Sequence, residues 1–234
     1  MRILAIDTAL NVVAAGIWDS GEDAIVASET LAIERGHDEH LLPLVQRVLA
    51  RIEGGLACID RIAVTIGPGS FTGIRIGIAA ARAMGMVRNI PVIGVPSLAA
   101  FAAPFIGKGE ASVAAMIDAR HGRVYTHVFS PVGKTLVEPK VLPIINAVRL
   151  LGSGPVILTG NAAPLAAIEA WSSGLNAEVA GNTGSPDIAY VARLGMLGDP
   201  AAAPPTPLYL NAVNAKPAAR SGLAPARIAA ALPE

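Results

Sequence analysis

Short apolar runs alternate with longer amphipathic stretches through the first half of the chain, the pattern of an α/β protein. Arg2 to Thr8 reads as a buried strand carrying an acid, Asp7, near its end. Asn11 to Trp18 and Ala24 to Leu31 read as two more strands, joined by Asp19-Ser20-Gly21-Glu22-Asp23, a strong turn signal. From about Asp38 to Ile52 the period becomes helical. Leu41, Val45, Val48 and Ile52 form one stripe, and Leu42, Leu44 and Leu49 widen it beyond what one sheet face needs. Pro43 falls in the opening turns of that helix, where a missing N–H costs least, and Gly54-Gly55 is expected to end it. Arg61 to Ile66 is a β-branched run and reads as a buried strand. Thr72 to Arg88 is Ala-rich and free of proline, so it reads as a helix. Pro91 to Val95 is a further short strand, and Ser97 is expected to cap a helix through about Phe105.

The turn Gly67-Pro68-Gly69-Ser70, between a strand and a long helix, organises this half of the chain. Glycines there let a second backbone come close, and free N–H groups at the helix start form an anion site in many α/β proteins. The specific motifs do not fit. A P-loop needs Gly-Lys-Ser/Thr, and no lysine is present. A dinucleotide fingerprint needs a third glycine where Thr72 stands, and an acid about 20 positions on. A nucleophile elbow needs glycine where Pro68 stands. The residues favour a tight turn capped by Ser70 or Thr72 over a nucleotide cradle. In the helix, Gly73, Gly77, Ala81 and Gly85 recur every fourth residue. Each glycine costs roughly 1 kcal/mol relative to alanine in a helix, so the ridge implies close approach of another element. With Leu41, Leu44, Val45, Val48 and Ile52 on the preceding helix, it predicts half of a four-helix bundle completed by a partner.

Gly107-Lys108-Gly109-Glu110 is a predicted boundary. Ala115 to Arg120 followed by Val124 to Phe129 repeats the order of Leu4 to Ala9 followed by Val12 to Ile17. Val156 to Asn161 echoes Ala63 to Pro68. The expected organisation is a first lobe over 1–106 with the Gly-rich turn and pairing helices, a smaller related lobe over 107–210, and an Ala/Pro-rich tail over 211–234. A short strand near Glu178 to Ala180 and a helix over about Asp187 to Leu197 fall in the second lobe.

Eighteen basic and eighteen acidic residues leave no net charge, which argues against a protein that holds nucleic acid by its own charge. Charged residues make up 15% of the chain and hydrophobic ones 53%, so much surface is buried. No apolar run is long enough for a membrane span, and Asp7 interrupts any signal-peptide layout. Cys58 stands alone, which excludes an internal disulfide and suits a reducing, cytoplasmic setting.

Ile6-Asp7-Thr8-Ala9, Gly67-Pro68-Gly69-Ser70-Phe71-Thr72-Gly73-Ile74-Arg75-Ile76-Gly77, Ile93-Gly94-Val95 with Ser97-Leu98, and Asp118-Ala119-Arg120 with Gly122 and Val124-Tyr125 together resemble the bacterial TsaB (YeaZ) family. His37 followed by Leu42-Pro43 fits the same pattern, and the resemblance covers about residues 1 to 210. It implies two lobes of the actin-like ATPase (ASKHA, ribonuclease H-like) architecture. It also implies a non-catalytic partner of TsaD, which installs threonylcarbamoyl on the tRNA adenosine 3′ of the anticodon. TsaE, an ATPase, completes that complex, and TsaC supplies threonylcarbamoyl-AMP. The implied partners are TsaD, TsaE and, when the chain is alone, a second copy; tRNA is met only through the complex. No cofactor of its own is implied, and a nucleotide only in the complex with TsaD and TsaE. The family also carries an old peptidase-like label. Two positions depart from its pattern: Arg123 stands where Glu is usual, and Asn211 where Arg is usual.

The residues agree with a non-catalytic reading. The phosphate hairpin of actin-like ATPases carries glycine after the first-strand Asp, and Thr8-Ala9-Leu10-Asn11 has none. TsaD binds its metal through two histidines four apart on a helix; here His37 and His40 are three apart, around Asp38 and Glu39. That group reads as a polar helix start favoured by the dipole rather than a metal site. Asp7 is either a Mg²⁺ ligand, as in active relatives, or a hydrogen-bonded strand-end carboxylate. With Gly67, Gly69 and Ser70 it completes the candidate cofactor contacts. Asp118 and Arg120 read as a structural pair, His121 as a turn residue, His127 as a strand-surface residue, and Glu34-Arg35 as a solvated loop. An actin-like ATPase or sugar kinase is the alternative and would need a second glycine-bearing hairpin. A peptidase would need a Ser/His/Asp set or a His-Glu-x-x-His motif, which the sequence lacks.

Overall fold

The computed structural model describes residues 1–181 and 184–210, and within them two α/β lobes of the same topology. In the first, β1 (Arg2–Asp7), β2 (Val12–Asp19) and β3 (Ala24–Ala32) form an antiparallel meander. Helix α1 (His37–Leu49) and a 3₁₀ turn (Gly55–Cys58) lead to β4 (Arg61–Gly67), which returns parallel to β1. Helix α2 (Phe71–Arg88) then crosses to β5 (Val92–Pro96), parallel to β4, and α3 (Ser97–Ala102) leaves the sheet. The strand order is β3-β2-β1-β4-β5. The second lobe repeats it with β6 (Ser112–Asp118), β7 (Arg123–Phe129), β8 (Thr135–Pro143), α4 (Ile144–Val148), β9 (Val156–Thr159), α5 (Ala163–Ser172) and β10 (Ala177–Val179). Its order, β10-β9-β6-β7-β8, has the same parallel and antiparallel pairings. The duplicated order expected from the sequence is therefore real, although few residues repeat.

The apolar stripes explain the layers. Leu41, Leu44, Val45 and Val48 of α1 and Ile74, Ile78 and Ala81 of α2 pack on one face of the first sheet, against Leu4, Ile6, Ile17, Ile62 and Val64. The opposite face is covered by α6 (Ile188–Leu197), whose Ile188, Val191 and Ala192 meet Ile3, Ala5, Ala14 and Trp18. This corrects the expected second-lobe span of 107–210, because the chain returns to the first lobe after β10. Arg61 fixes the return: its guanidinium donates to the carbonyls of Gly195, Met196 and Gly198 at 2.8–3.0 Å, satisfying the open end of α6. The segment after α6 then runs along β5 and β4, with Gly94 N donating to Ala203 O and Leu208 N to Ile66 O. Helix α3 sits at the joint, where Leu98, Phe101 and Ala102 pack with Leu10, Val113, Ala115 and Ile117 from both lobes.

Local chemistry moved several ends. Asp187 caps α6 by accepting from Ala189 N at 2.9 Å. The expected cap at Ser97 is absent: Pro96 holds the cap position, and the Ser97 hydroxyl is buried without a partner among the described residues. His127 is buried rather than on the strand surface, with Nε2 3.2 Å from Thr135 Oγ1. Helix α1 ends at Leu49, before Gly54 and Gly55, which start the 3₁₀ turn with positive φ. The tail expected beyond Leu210, and the Asn211 departure with it, lie outside the described residues.

Candidate functional site

The Gly-rich turn is held by the chain's own first-strand loop. Ser70 N donates to Ala9 O at 2.7 Å, and Ser70 Oγ accepts from Gly73 N at 3.2 Å, so Ser70 is the expected N-cap of α2. A Cβ at Gly69 would run into Ala9 O, and one at Gly73 into Thr8 O. The second backbone that the glycines admit is therefore the β1–β2 connection. Thr8, not singled out from the sequence, completes the joint by donating its hydroxyl to Gly73 O at 2.7 Å. Gly67, with φ 103°, faces Ile74 and the carbonyl of Leu208.

Asp7 lies beneath this turn and is fully buried. Its Oδ1 accepts from Thr65 Oγ1 at 2.6 Å and from Ala9 N at 3.0 Å, while Oδ2 has no partner among the described residues. Burial raises its pKa above the usual carboxylate range, against the hydrogen bonds from Thr65 and Ala9 and the nearby His37, which pull it down. This is the geometry of a hydrogen-bonded strand-end carboxylate. Because the folded-state pKa is raised, the contribution of Asp7 to stability is fully present below its unfolded pKa of about 3.9. It is lost as pH rises through the folded value. Asp7→Asn keeps an acceptor for Thr65 and cannot ionise. Its stability relative to the parent should rise between pH 4 and pH 8. Urea unfolding at both pH values checks this, and a difference that does not change with pH would contradict it.

Between the lobes lies an open cleft of ≈ 430 Å³. The first lobe lines it with Asn11, Glu34, His37, Gly69, Ser70 and Phe71, and the second with Asp118, Arg120, Tyr125 and Asn161. His37 donates from Nε2 to Leu10 O at 2.8 Å and is buried, whereas His40 is exposed. Among the described residues no three His, Cys, Asp or Glu side chains gather as a metal site requires. Asp118 and Arg120 are joined through the backbone, Arg120 N donating to Asp118 Oδ1 at 2.7 Å, and Asn161 Oδ1 accepts from Asp118 N at 2.9 Å. Arg120 and His121 both have positive φ and shape this turn. Of the cofactor candidates, Gly69 and Ser70 reach the cleft; Asp7 and Gly67 are not among the residues that line it.

The expected pairing residues face inward. Leu41, Leu44, Val45 and Val48 are 0–2% exposed, and Ile52 packs against the same core. Gly73, Gly77, Ala81 and Gly85 are buried against the chain's own sheet. A Cβ at Gly77 would strike Thr8 Oγ1, and one at Gly85 would strike Val92 Cγ2. The ridge thus brings α2 close to β1, β4 and β5, and its assignment to a partner surface is corrected. The face of α2 turned outward carries Arg75, Ala79, Arg82, Ala83, Met86 and Val87, with Leu42 exposed on the neighbouring α1. Met86 and Val87 are 83% and 80% exposed. At the helix start, Arg75 lies 3.9 Å over the Phe71 ring and donates from Nε to Tyr209 Oη at 3.0 Å.

A family model described as "TsaD: tRNA N6-adenosine threonylcarbamoyltransferase" matches residues 25–199. The chain is 40% identical over 126 residues to the tRNA threonylcarbamoyladenosine biosynthesis protein TsaB of Escherichia coli, a match covering 53% of each chain. It is 33% identical over 130 residues to the Bacillus subtilis protein of the same name, 55% of each. The chain thus spans about half the length of the curated TsaB relatives it matches. At 36% identity it matches an uncharacterised protein of Mycobacterium tuberculosis over 93% of this chain and 95% of that one. Among solved structures, YeaZ from Pseudomonas aeruginosa shares the fold with a TM-score of 0.70 and 24% identity, over 89% of this chain and 99% of that chain. A ROK hexokinase from Thermus thermophilus, at TM-score 0.51 and 14% identity over 84% of this chain and 99% of that one, has the same general architecture.

Proposed function

The chain belongs to the TsaB (YeaZ) family, and from that premise we propose that it is a scaffold and activating subunit in tRNA threonylcarbamoyladenosine biosynthesis. In this reading it pairs with TsaD, takes TsaE into the same assembly, and meets tRNA only through the complex. It performs no chemistry and holds no cofactor of its own; a nucleotide enters only at the assembled complex. The observation that carries the reading is the outer face of α2. Ala79, Ala83, Met86 and Val87 lie exposed on a helix whose opposite side is already sealed in the core. Large apolar side chains exposed side by side on such a face suit a protein interaction site. The cramped Gly-rich turn also supports it, because Ala9 O occupies Ser70 N, a backbone donor an anion would use. In the absence of TsaD the same face would hold a second copy, more weakly than it holds TsaD.

Depleting the protein in its native cell is expected to lower N6-threonylcarbamoyladenosine in bulk tRNA several-fold. Nucleoside mass spectrometry of the depleted strain measures it. Unchanged levels, in a cell with no second copy of the gene, would remove the chain from this pathway.

A further inference from the structure

Helix α2 carries three arginines, Arg75, Arg82 and Arg88, and no acidic residue. Arg88 is turned back onto the chain, where it donates to the carbonyls of Leu56 and Ala57 at 3.2 and 2.7 Å. Arg75 and Arg82 are exposed on the outward face, and neither makes an ion pair among the described residues. Arg75 rests on Phe71 and bonds Tyr209, both neutral, so its charge stays uncompensated and its direction is fixed. The two arginines are seven positions apart, two helical turns or about 10 Å along the axis. Ala79 and Ala83 lie between them, small enough for a second helix to approach. The neighbouring helix offers no free carboxylate beyond its first turn: Leu42, Pro43 and Gln46 are exposed there, and Arg47 is paired with Glu29.

From this face we infer that the natural occupant is a partner helix bearing carboxylates about seven residues apart, not a second copy of this chain. The inference rests on the proposed pairing through α2 and adds the chemistry of the partner. A second copy fits poorly for a reason of symmetry. A twofold interface sets residue i against j and j against i. An antiparallel α2–α2 contact centred near Ala79 therefore sets Arg75 of each copy against Arg82 of the other. Like charges facing each other across an interface disfavour that pairing, and opposite ones select the correct partner.

The test uses the full chain with the TsaD subunit of the same cell. Titration calorimetry gives the heterologous affinity, and sedimentation gives self-association. Raising salt from about 50 mM to about 500 mM should weaken TsaD binding roughly fivefold or more. Arg82→Glu should weaken it roughly tenfold and at the same time tighten self-association, since each Arg75 then meets a carboxylate across the twofold. The neutral double substitution Met86→Asn with Val87→Asn reports on the face itself. If it abolishes TsaD binding while Arg82→Glu and salt leave binding unchanged, the face stands and the acidic partner is overturned. If the double variant binds like the parent, the face itself is wrong and the inference fails with it.

Discussion

Replacing Gly77 by leucine is expected to destabilise the fold by about 3 kcal/mol or more, lowering Tm by about 6–12 °C. Gly77 lies where α2 crosses β1 and β4, and even a methyl group there would strike Thr8 Oγ1 and crowd Val64 Cγ2. The Thr8 hydroxyl has no room to yield, because it is fully buried and bonded to Gly73 O. A leucine must therefore push the helix off the sheet and break the contact between the Gly-rich turn and the β1–β2 connection. Ala79→Leu, two residues on and exposed, adds the same side chain without this clash and should stay within about 0.5 kcal/mol of the parent. Thermal unfolding of the two variants side by side separates the faces of α2. A Gly77→Leu protein that melts with the parent would place the ridge outside the core after all.

The ridge shows what the sequence could and could not convey. Glycine at every fourth position of α2 announces that something approaches closely, since nothing else offsets its helical cost. It does not say whether the neighbour is a partner helix or the chain's own sheet. Only the register of α2 over β1 and β4 decides that, and register is a non-local property. The first three strands were legible because their apolar runs are bounded by turn residues such as Asp19-Ser20-Gly21. β8 was not, because it is an edge strand with alternating half-exposed residues and a proline at 139. α5 was hidden for a different reason: its short run is apolar on nearly every side, so no amphipathic stripe marks it as a helix. The return of α6 to the first lobe left no local trace. Its apolar stripe would serve either sheet, and the choice is visible only where Arg61 reaches Gly195, Met196 and Gly198.

The same logic limited the site. The Ser70 cap was readable, because a hydroxyl before a helix is a local signal. Thr8 was not, since its partner, Gly73 O, is 65 positions away. The cleft joins Ser70 and His37 to Asp118, Arg120 and Asn161 across two lobes, so no window of sequence contains it. The repeated Asp at the ends of β1 and β6 hinted at equivalent corners, yet the two corners differ. Asp7 is sealed under the turn, whereas Asp118 is exposed and braced by Asn161.

Changing Met86 and Val87 together to asparagine should leave the monomer intact and abolish pairing. Both side chains are at least 80% exposed, so they contribute little to the core, and surface substitutions of this kind usually change stability by no more than about 0.5 kcal/mol. In a complex the same two positions would lie within the helix–helix contact, towards the C-terminal end of α2. Burying a Met and a Val stabilises by roughly 1.5–3 kcal/mol each, and an amide buried there without a partner costs about 1–3 kcal/mol. Even with half of that lost to incomplete burial, about 3 kcal/mol remains, which weakens association by roughly a hundredfold or more. The double variant should therefore melt within a degree or two of the parent, sediment as a monomer, and fail to retain TsaD in a pull-down. Early melting would mean that the two residues support the fold and not the contact. Normal melting with normal retention of TsaD would move the pairing surface elsewhere, with the exposed lobe-two residues Leu165, Ile168 and Trp171 of α5 the next face to substitute.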